Sequence, residues 1–286
     1  MTPQFEIHVR GLGFPEGPVV LPDGTIAFVD LLHRKVRAFG NGVVRELATL
    51  PGAPNGMRRG PDGALYIANN GGLAPLAPGR LNIADPAITG RLHRLTLDGT
   101  CTDFATGLPG AAPARPNDLV FSPRGDIVFT DPQNWEVFQH WRPDDPACPY
   151  HGGQLLLARP DGRVSRLART TGFPNGLAFH PDGALLVGLT VEHRILRYPW
   201  LGDAVGEPQT WCRFDDGFNP DGMVFDGERL LVTGSVGDRI AIVDTAGRVL
   251  EQIDTGHDSD PTNLCVQDGT VWVTFGLPGQ LVSMRL

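Results

Sequence analysis

FPEGPVVLPDGTIAFVD, residues 14–30, is the first of six copies of one unit, and its reading decides the fold. A proline and a polar residue lead into a short apolar run, Asp23-Gly24 interrupts it, and a second apolar run follows. The other copies are PNGMRRGPDGALYIANN (54–70), PNDLVFSPRGDIVFTDP (116–132), PNGLAFHPDGALLVGLT (174–190), PDGMVFDGERLLVTGS (220–235) and PTNLCVQDGTVWVTFG (261–276). Each predicts a β-hairpin. Its β-branched and aromatic residues favour strands, and pairs such as Asp62-Gly63, Asp182-Gly183 and Asp268-Gly269 tolerate the positive φ of a tight turn.

A weaker second hairpin follows most copies, for example RKVRAFGNGVVRELA (34–48) and RIAIVDTAGRVLEQI (239–253). Two hairpins make a four-stranded blade, and 286 residues over six blades allow about 48 each. The expected fold is an all-β, six-bladed β-propeller occupying 1–286 as a single domain. FEIHVR (Phe5–Arg10) precedes the first copy, while the last copy reaches Leu286 with too few residues for a full blade. The N-terminal strand is therefore expected to complete the final blade and close the ring, removing an open edge. Two stretches exceed the repeat, 71–90 and 133–152. They are expected to face a pocket, the second through Trp135, Phe138, Trp141 and Tyr150.

Composition narrows the function. With 37 glycines and 26 prolines, long helices are disfavoured. The net charge of −8, with acids and bases interspersed, argues against a nucleic-acid partner, which would want a basic face. No apolar run approaches the ~18 residues that span a bilayer, and MTPQFEIHVR has no signal-peptide pattern. The expectation is a cytoplasmic protein acting on a small molecule, monomeric by default. Cys101, Cys148, Cys212 and Cys265 lie far apart and form no CxxC. Cys148 with His151, and His33 and His193, read as incidental or structural.

One column of the repeat does not behave like structure. The polar residue just after each leading proline region is, in order, Glu16, Asn55, Asn117, Asn175, Asp221 and Asn263. In a propeller this point begins an innermost strand, so six copies converge on one mouth of the axial channel. Two carboxylates and several amides gathered there need a partner, and a hard divalent cation is one that accepts 6–8 oxygens, typically at about 2.3–2.6 Å. The column holds no histidine or cysteine, so its chemistry favours Ca²⁺. Asn55-Gly56 and Asn263 read equally well as turn caps, which Glu16 does not.

FPEGPV (14–19), RPNDL (115–119), FPNGLAF (173–179) and NPDGM (219–223), in this order, resemble the senescence marker protein/gluconolactonase family, which includes regucalcin. The resemblance covers nearly the whole chain. It implies a six-bladed propeller with one divalent metal ion at the channel mouth, held by Glu16, Asn175 and Asp221, with Asn117 as a fourth ligand or a substrate contact. The metal would be Ca²⁺, with Zn²⁺, Mn²⁺ or Mg²⁺ as alternatives. Arg115 falls where sugar-lactone members place a substrate-binding arginine, and Asn55 is a further candidate contact.

The chemistry expected of such a site is hydrolysis of a lactone of a sugar or small hydroxy acid, with Asp221 as the base that activates water. A diisopropyl-fluorophosphatase-type phosphotriesterase uses a similar oxygen cage and is the alternative. A strictosidine-synthase-like propeller lacks this donor set, and a non-catalytic binding propeller has no need of axial acids. No G-x-S-x-G elbow, Walker A or dinucleotide fingerprint is present.

Overall fold

The computed structural model describes residues 5–77, 80–85, 87–110, 113–133, 152–215 and 217–286, and of 73–84 only the backbone. Six four-stranded antiparallel sheets follow one another around a ring, with a separate two-stranded hairpin beside them. Their innermost strands are Pro15–Val20, Pro54–Arg59, Leu119–Phe121, Pro174–Phe179, Asn219–Asp226 and Pro261–Gln267. The expected propeller is thus the observed one, and its only helical turn is 3-10, at Thr190–Glu192, among the described residues.

The second strand of each blade explains why the blades associate. Ile26–Asp30, Leu65–Asn69, Ile127–Asp131 and Leu185–Leu189 are buried at every position. Alternate side chains of a strand point to opposite faces. Ala27 and Val29 therefore pack on Met57, Leu65 and Ile67 of the second blade. Ile26 and Phe28 turn the other way, onto Val9, Cys265 and Leu281 of the sixth. The same division recurs at every junction, so the core consists of the interfaces between consecutive blades.

The ring closes as the N-terminal strand implied. Glu6–Val9 pairs antiparallel with Gln280–Arg285, setting Glu6 opposite Ser283 and Ile7 opposite Val282. The fourth strand of the last blade thus comes from the other end of the chain, and Leu12 N–H continues the link by donating to the Gly279 carbonyl at 3.0 Å. Turn chemistry agrees in part with the sequence. Asp268 and Gly269 both take positive φ, 49° and 72°, in a two-residue turn between Gln267 and Thr270. The Asp23-Gly24 and Asp182-Gly183 turns are longer, and there the glycine alone is left-handed.

The 71–90 insertion forms the separate hairpin, Gly72–Ala77 with Arg80–Asp85, between the second and third strands of blade two. The second insertion, with Trp135, Phe138, Trp141, Cys148, Tyr150 and His151, lies outside the described residues. Among the described residues no helix is long and apolar enough to cross a membrane.

Ring closure sets a testable cost. Replacing Val9 with Asp puts a charge into the closing interface and is expected to lower unfolding stability by about 3 kcal/mol. Glu6→Gln, on the exposed side of the same strand, should stay within about 0.5 kcal/mol. Urea unfolding of the two variants measures the difference.

Candidate active site

Five of the six innermost strands begin with an irregularity in their pairing with the second strand; the third blade's, Leu119–Phe121, pairs in regular register. The register breaks between Glu16 and Val19, Pro54 and Met57, Pro174 and Leu177, Pro220 and Met223, and Pro261 and Asn263. A bulge at a strand end re-aims a side chain. Here it turns the column residues toward the axis. The pairs Asn55-Gly56, Asn175-Gly176 and Asp221-Gly222 are therefore strand residues, not turn caps.

The glycine after the column residue is required by the neighbouring blade. A Cβ on Gly176 would lie 2.0 Å from the Asp221 carbonyl oxygen, and one on Gly222 would lie 2.3 Å from Asn263 Cγ. The Gly56 N–H donates to the Asn117 carbonyl at 2.7 Å across another such contact. Close backbone approach brings successive column residues around one small space.

All six column residues are buried, between 2% and 7% exposed. Glu16, Asn55, Asn117, Asn175 and Asp221 line one cavity of about 190 Å³ at the channel mouth, with Phe14, Phe173 and Val191 among its walls. Asn263 departs from the group. Its Oδ1 accepts from its neighbour Leu264 N–H at 2.9 Å, and its side chain bonds to Glu16 and Asp118 below the cavity floor. Arg115 is almost fully buried, its N–H donating to Asp131 Oδ1 at 2.7 Å and its Nη1 to the Ala114 carbonyl at 3.0 Å. It is not among the described residues lining this cavity.

A second set of polar residues, which the repeat reading did not single out, orients the first. Asn55 Nδ2 donates to Asn70 Oδ1 at 2.9 Å, and Asn175 Nδ2 donates to Thr190 Oγ1 at 3.1 Å. Asp221 bonds to the Ser235 hydroxyl. Each partner ends its blade's second strand or directly follows it, fourteen or fifteen residues downstream of the column residue. That spacing was the available signal. Asn70 and Thr190 also tie consecutive blades, donating to the Pro116 and Pro220 carbonyls at 2.7 and 3.0 Å.

The electrostatics of the cavity are those of crowded anions. Burial, then the nearby charge of Asp118, pushes the Glu16 carboxyl up to about 8. Burial pushes Asp221 well above the usual carboxylate range, with further contributions from Glu16, Asp260 and Asp118. Arg58 pairs with Asp118 at 3.2 Å and offsets part of this from beneath. Asn55 Oδ1 is buried without a hydrogen-bond partner among the described residues. Two carboxylates, two amides and an unpartnered amide oxygen fit a hard cation with oxygen ligands. Among the described residues no three His, Cys, Asp or Glu side chains gather as a metal cluster, so a zinc-type set is not formed. Burial raises the Cys212 and Cys265 thiols to about 12, which leaves neither as a nucleophile.

Comparison with known proteins follows the same lines. Residues 14–275 match the family model of the SMP-30/gluconolactonase/LRE-like region. A gluconolactonase of Zymomonas mobilis is 30% identical over 227 residues, 75% of this chain and 57% of that relative. This chain therefore matches little more than half of that protein's length. Among solved structures, a gluconolactonase of Xanthomonas campestris superposes with a TM-score of 0.78 at 23% identity, covering 99% of this chain and 90% of the other. The calcium-binding protein regucalcin of Agrobacterium tumefaciens gives 0.75 at 18% identity, covering 99% and 94%. At such identities the superpositions establish the fold alone.

The close approach at Gly176 should be intolerant of a methyl group. Gly176→Ala is expected to destabilise by about 1–3 kcal/mol through overpacking. In Gly188→Ala, on the adjacent strand, the new Cβ would meet the flexible end of Met223 at 3.2 Å and otherwise make only ordinary contacts, to the Gly176 carbonyl at 3.5 Å and Pro220 at 3.6 Å, and the loss should stay below about 1 kcal/mol. Denaturant midpoints of the two variants give the comparison.

Proposed function

We propose that this chain, which belongs to the SMP-30/gluconolactonase/LRE-like family, is a metal-dependent hydrolase that opens the ring of a lactone of a sugar or small hydroxy acid. The observation that carries the reading is the convergence of oxygen-bearing side chains from five blades on one buried cavity, two of them carboxylates that repel one another.

Glu16, Asn117, Asn175 and Asp221 would hold one divalent cation, with Ca²⁺ the best match to an all-oxygen donor set. Bound there, it would supply Lewis acidity to a carbonyl oxygen. The chain's own residues do the rest. Asp221, oriented by Ser235, keeps a carboxylate oxygen to take the proton from the attacking water. Asn55 Oδ1, buried and unpartnered, accepts a hydrogen bond from substrate or water. Phe14 and Phe173 wall the cavity and exclude bulk water, which strengthens every polar interaction inside it. Asn117, which lines the cavity, would also contact substrate, and Arg115, buried beside it in the chain, would be a further substrate contact. An ester carbonyl in a lactone ring suits this arrangement, since it needs no strong nucleophile from the protein.

A panel of aldonolactones, simple γ- and δ-lactones and one phosphotriester tests the reading. Each is assayed after chelation and after adding back Ca²⁺, Mn²⁺, Zn²⁺ or Mg²⁺. Lactone turnover restored by metal, and reduced at least about 10²-fold in folded Asp221→Ala, is the expected outcome. Turnover of the phosphotriester alone would replace lactonase by phosphotriesterase.

A further inference from the structure

The residue immediately before each leading proline forms a second ring, one step outward from the column. In blade order it reads Phe14, Ala53, Arg115, Phe173, Asn219 and Asp260. Four of these, Phe14, Phe173, Asn219 and Asp260, line the cavity. Six-fold placement sets Phe14 across from Phe173. It also puts Asn219 and Asp260 side by side as a polar arc between them.

Asp260 is the unusual member. It is a third carboxylate facing the cavity, yet it lies outside the column of donors. Its backbone takes φ 45°, and Val236, Asp238 and Asp258 around it take φ 64°, 50° and 59°. The left-handed region disfavours β-branched residues most, and Val236 adopts it while 75% exposed at the cavity lip. Strain of this kind persists where surrounding bonds over-determine it, and it clusters at functional sites.

Those bonds are present. Val236 N–H donates to Asp260 Oδ1 at 3.1 Å. Asp238 Oδ1 accepts from Asp260 N–H at 2.9 Å and from Ser259 Oγ at 3.1 Å, while its Oδ2 accepts from Asp258 N–H at 2.9 Å. The Gly276 N–H holds the Asp260 carbonyl at 2.8 Å. One carboxylate oxygen, the backbone N–H and the carbonyl are all engaged. Among the described residues Oδ2 has no donor. The loop thus holds one acceptor open to the cavity, at the rim.

We propose that Asp260 is a specificity-determining residue whose Oδ2 accepts a hydrogen bond from a ring hydroxyl of the lactone, on the side away from the carbonyl under attack. Phe14 and Phe173 cover the apolar faces of the ring, and Asn219 stands beside Asp260 on the same polar arc. The identity of the ring rests on the lactonase reading, but the recognition of a hydroxyl does not.

Kinetics on two lactones of the same ring size test this: glucono-δ-lactone, which carries hydroxyls, and δ-valerolactone, which carries none. In Asp260→Ala, KM for glucono-δ-lactone should rise about tenfold or more, as expected for a hydrogen bond to a charged group, with kcat nearly unchanged. Turnover of δ-valerolactone should stay as in the parent. Asp260→Asn, whose one carbonyl oxygen can keep the Val236 N–H bond while its amide NH2 can donate to the hydroxyl oxygen, should lose less. Equal losses on both lactones, or a fall in kcat, would overturn the assignment in favour of a structural or proton-transfer role. Calorimetric titration with 1,5-anhydroglucitol, a cyclic polyol without a carbonyl, separates this from the fate of the lactonase reading. Binding that weakens about tenfold in Asp260→Ala, with tetrahydropyran failing to bind, supports Asp260 even if neither lactone is hydrolysed. Polyol binding that is absent, or indifferent to the substitution, overturns it.

Discussion

A strand that is apolar on both faces cannot sit at the end of a stack. The second strand of blade one has this property, with Ala27 and Val29 directed one way and Ile26 and Phe28 the other. The same burial recurs in the other blades, so each needs a neighbour on either side. An open row would leave two such faces in water, and closure into a ring removes both. Pairing Glu6–Val9 with Gln280–Arg285 is the closure, and the rest of the architecture depends on it.

Ring closure has an electrostatic consequence at the axis. Equivalent positions of six blades meet there, and a polar residue repeated at one position becomes a cluster. Glycines at 56, 176 and 222 let adjacent innermost strands approach closely, which tightens the cluster further. Burial and crowding drive the Glu16 and Asp221 carboxyls upward. The Arg58–Asp118 pair and Asn263 beneath the cavity hold part of this charge without sharing the cavity itself. Site and scaffold are therefore one arrangement: the contacts that join the blades are those that gather the polar column.

Much of this was legible in one sequence because the unit occurs six times. Repetition exposed the hairpins, the closing strand and the column, and Glu16 stood out because no turn or cap calls for a glutamate there. Asn263 shows the limit. It stands two residues after its proline, where Gly176 stands in the fourth copy, and its amide turns to Leu264 N–H, Glu16 and Asp118 and not to the cavity. Asn70, Thr190 and Ser235 were missed although they follow their partners at a nearly constant interval, because a lone Thr or Ser at a strand end carries no signal of its own. Asp260 was hidden differently: its role rests on left-handed backbone at four residues from two separate segments, which no side-chain pattern announces.

The sequence by itself determined the fold class, the number of blades, the way the ring is completed and the residue types at the axis. These follow from the alternation of apolar and polar residues and from turn chemistry, both local and repeated six times. Only the tertiary structure decided which axial side chains share a cavity, which retire to support it, and which distant residues join them. Side-chain direction at the channel mouth is set by a bulge in five of the six innermost strands and by contact with the next blade, and the second of these does not exist until the blades have come together.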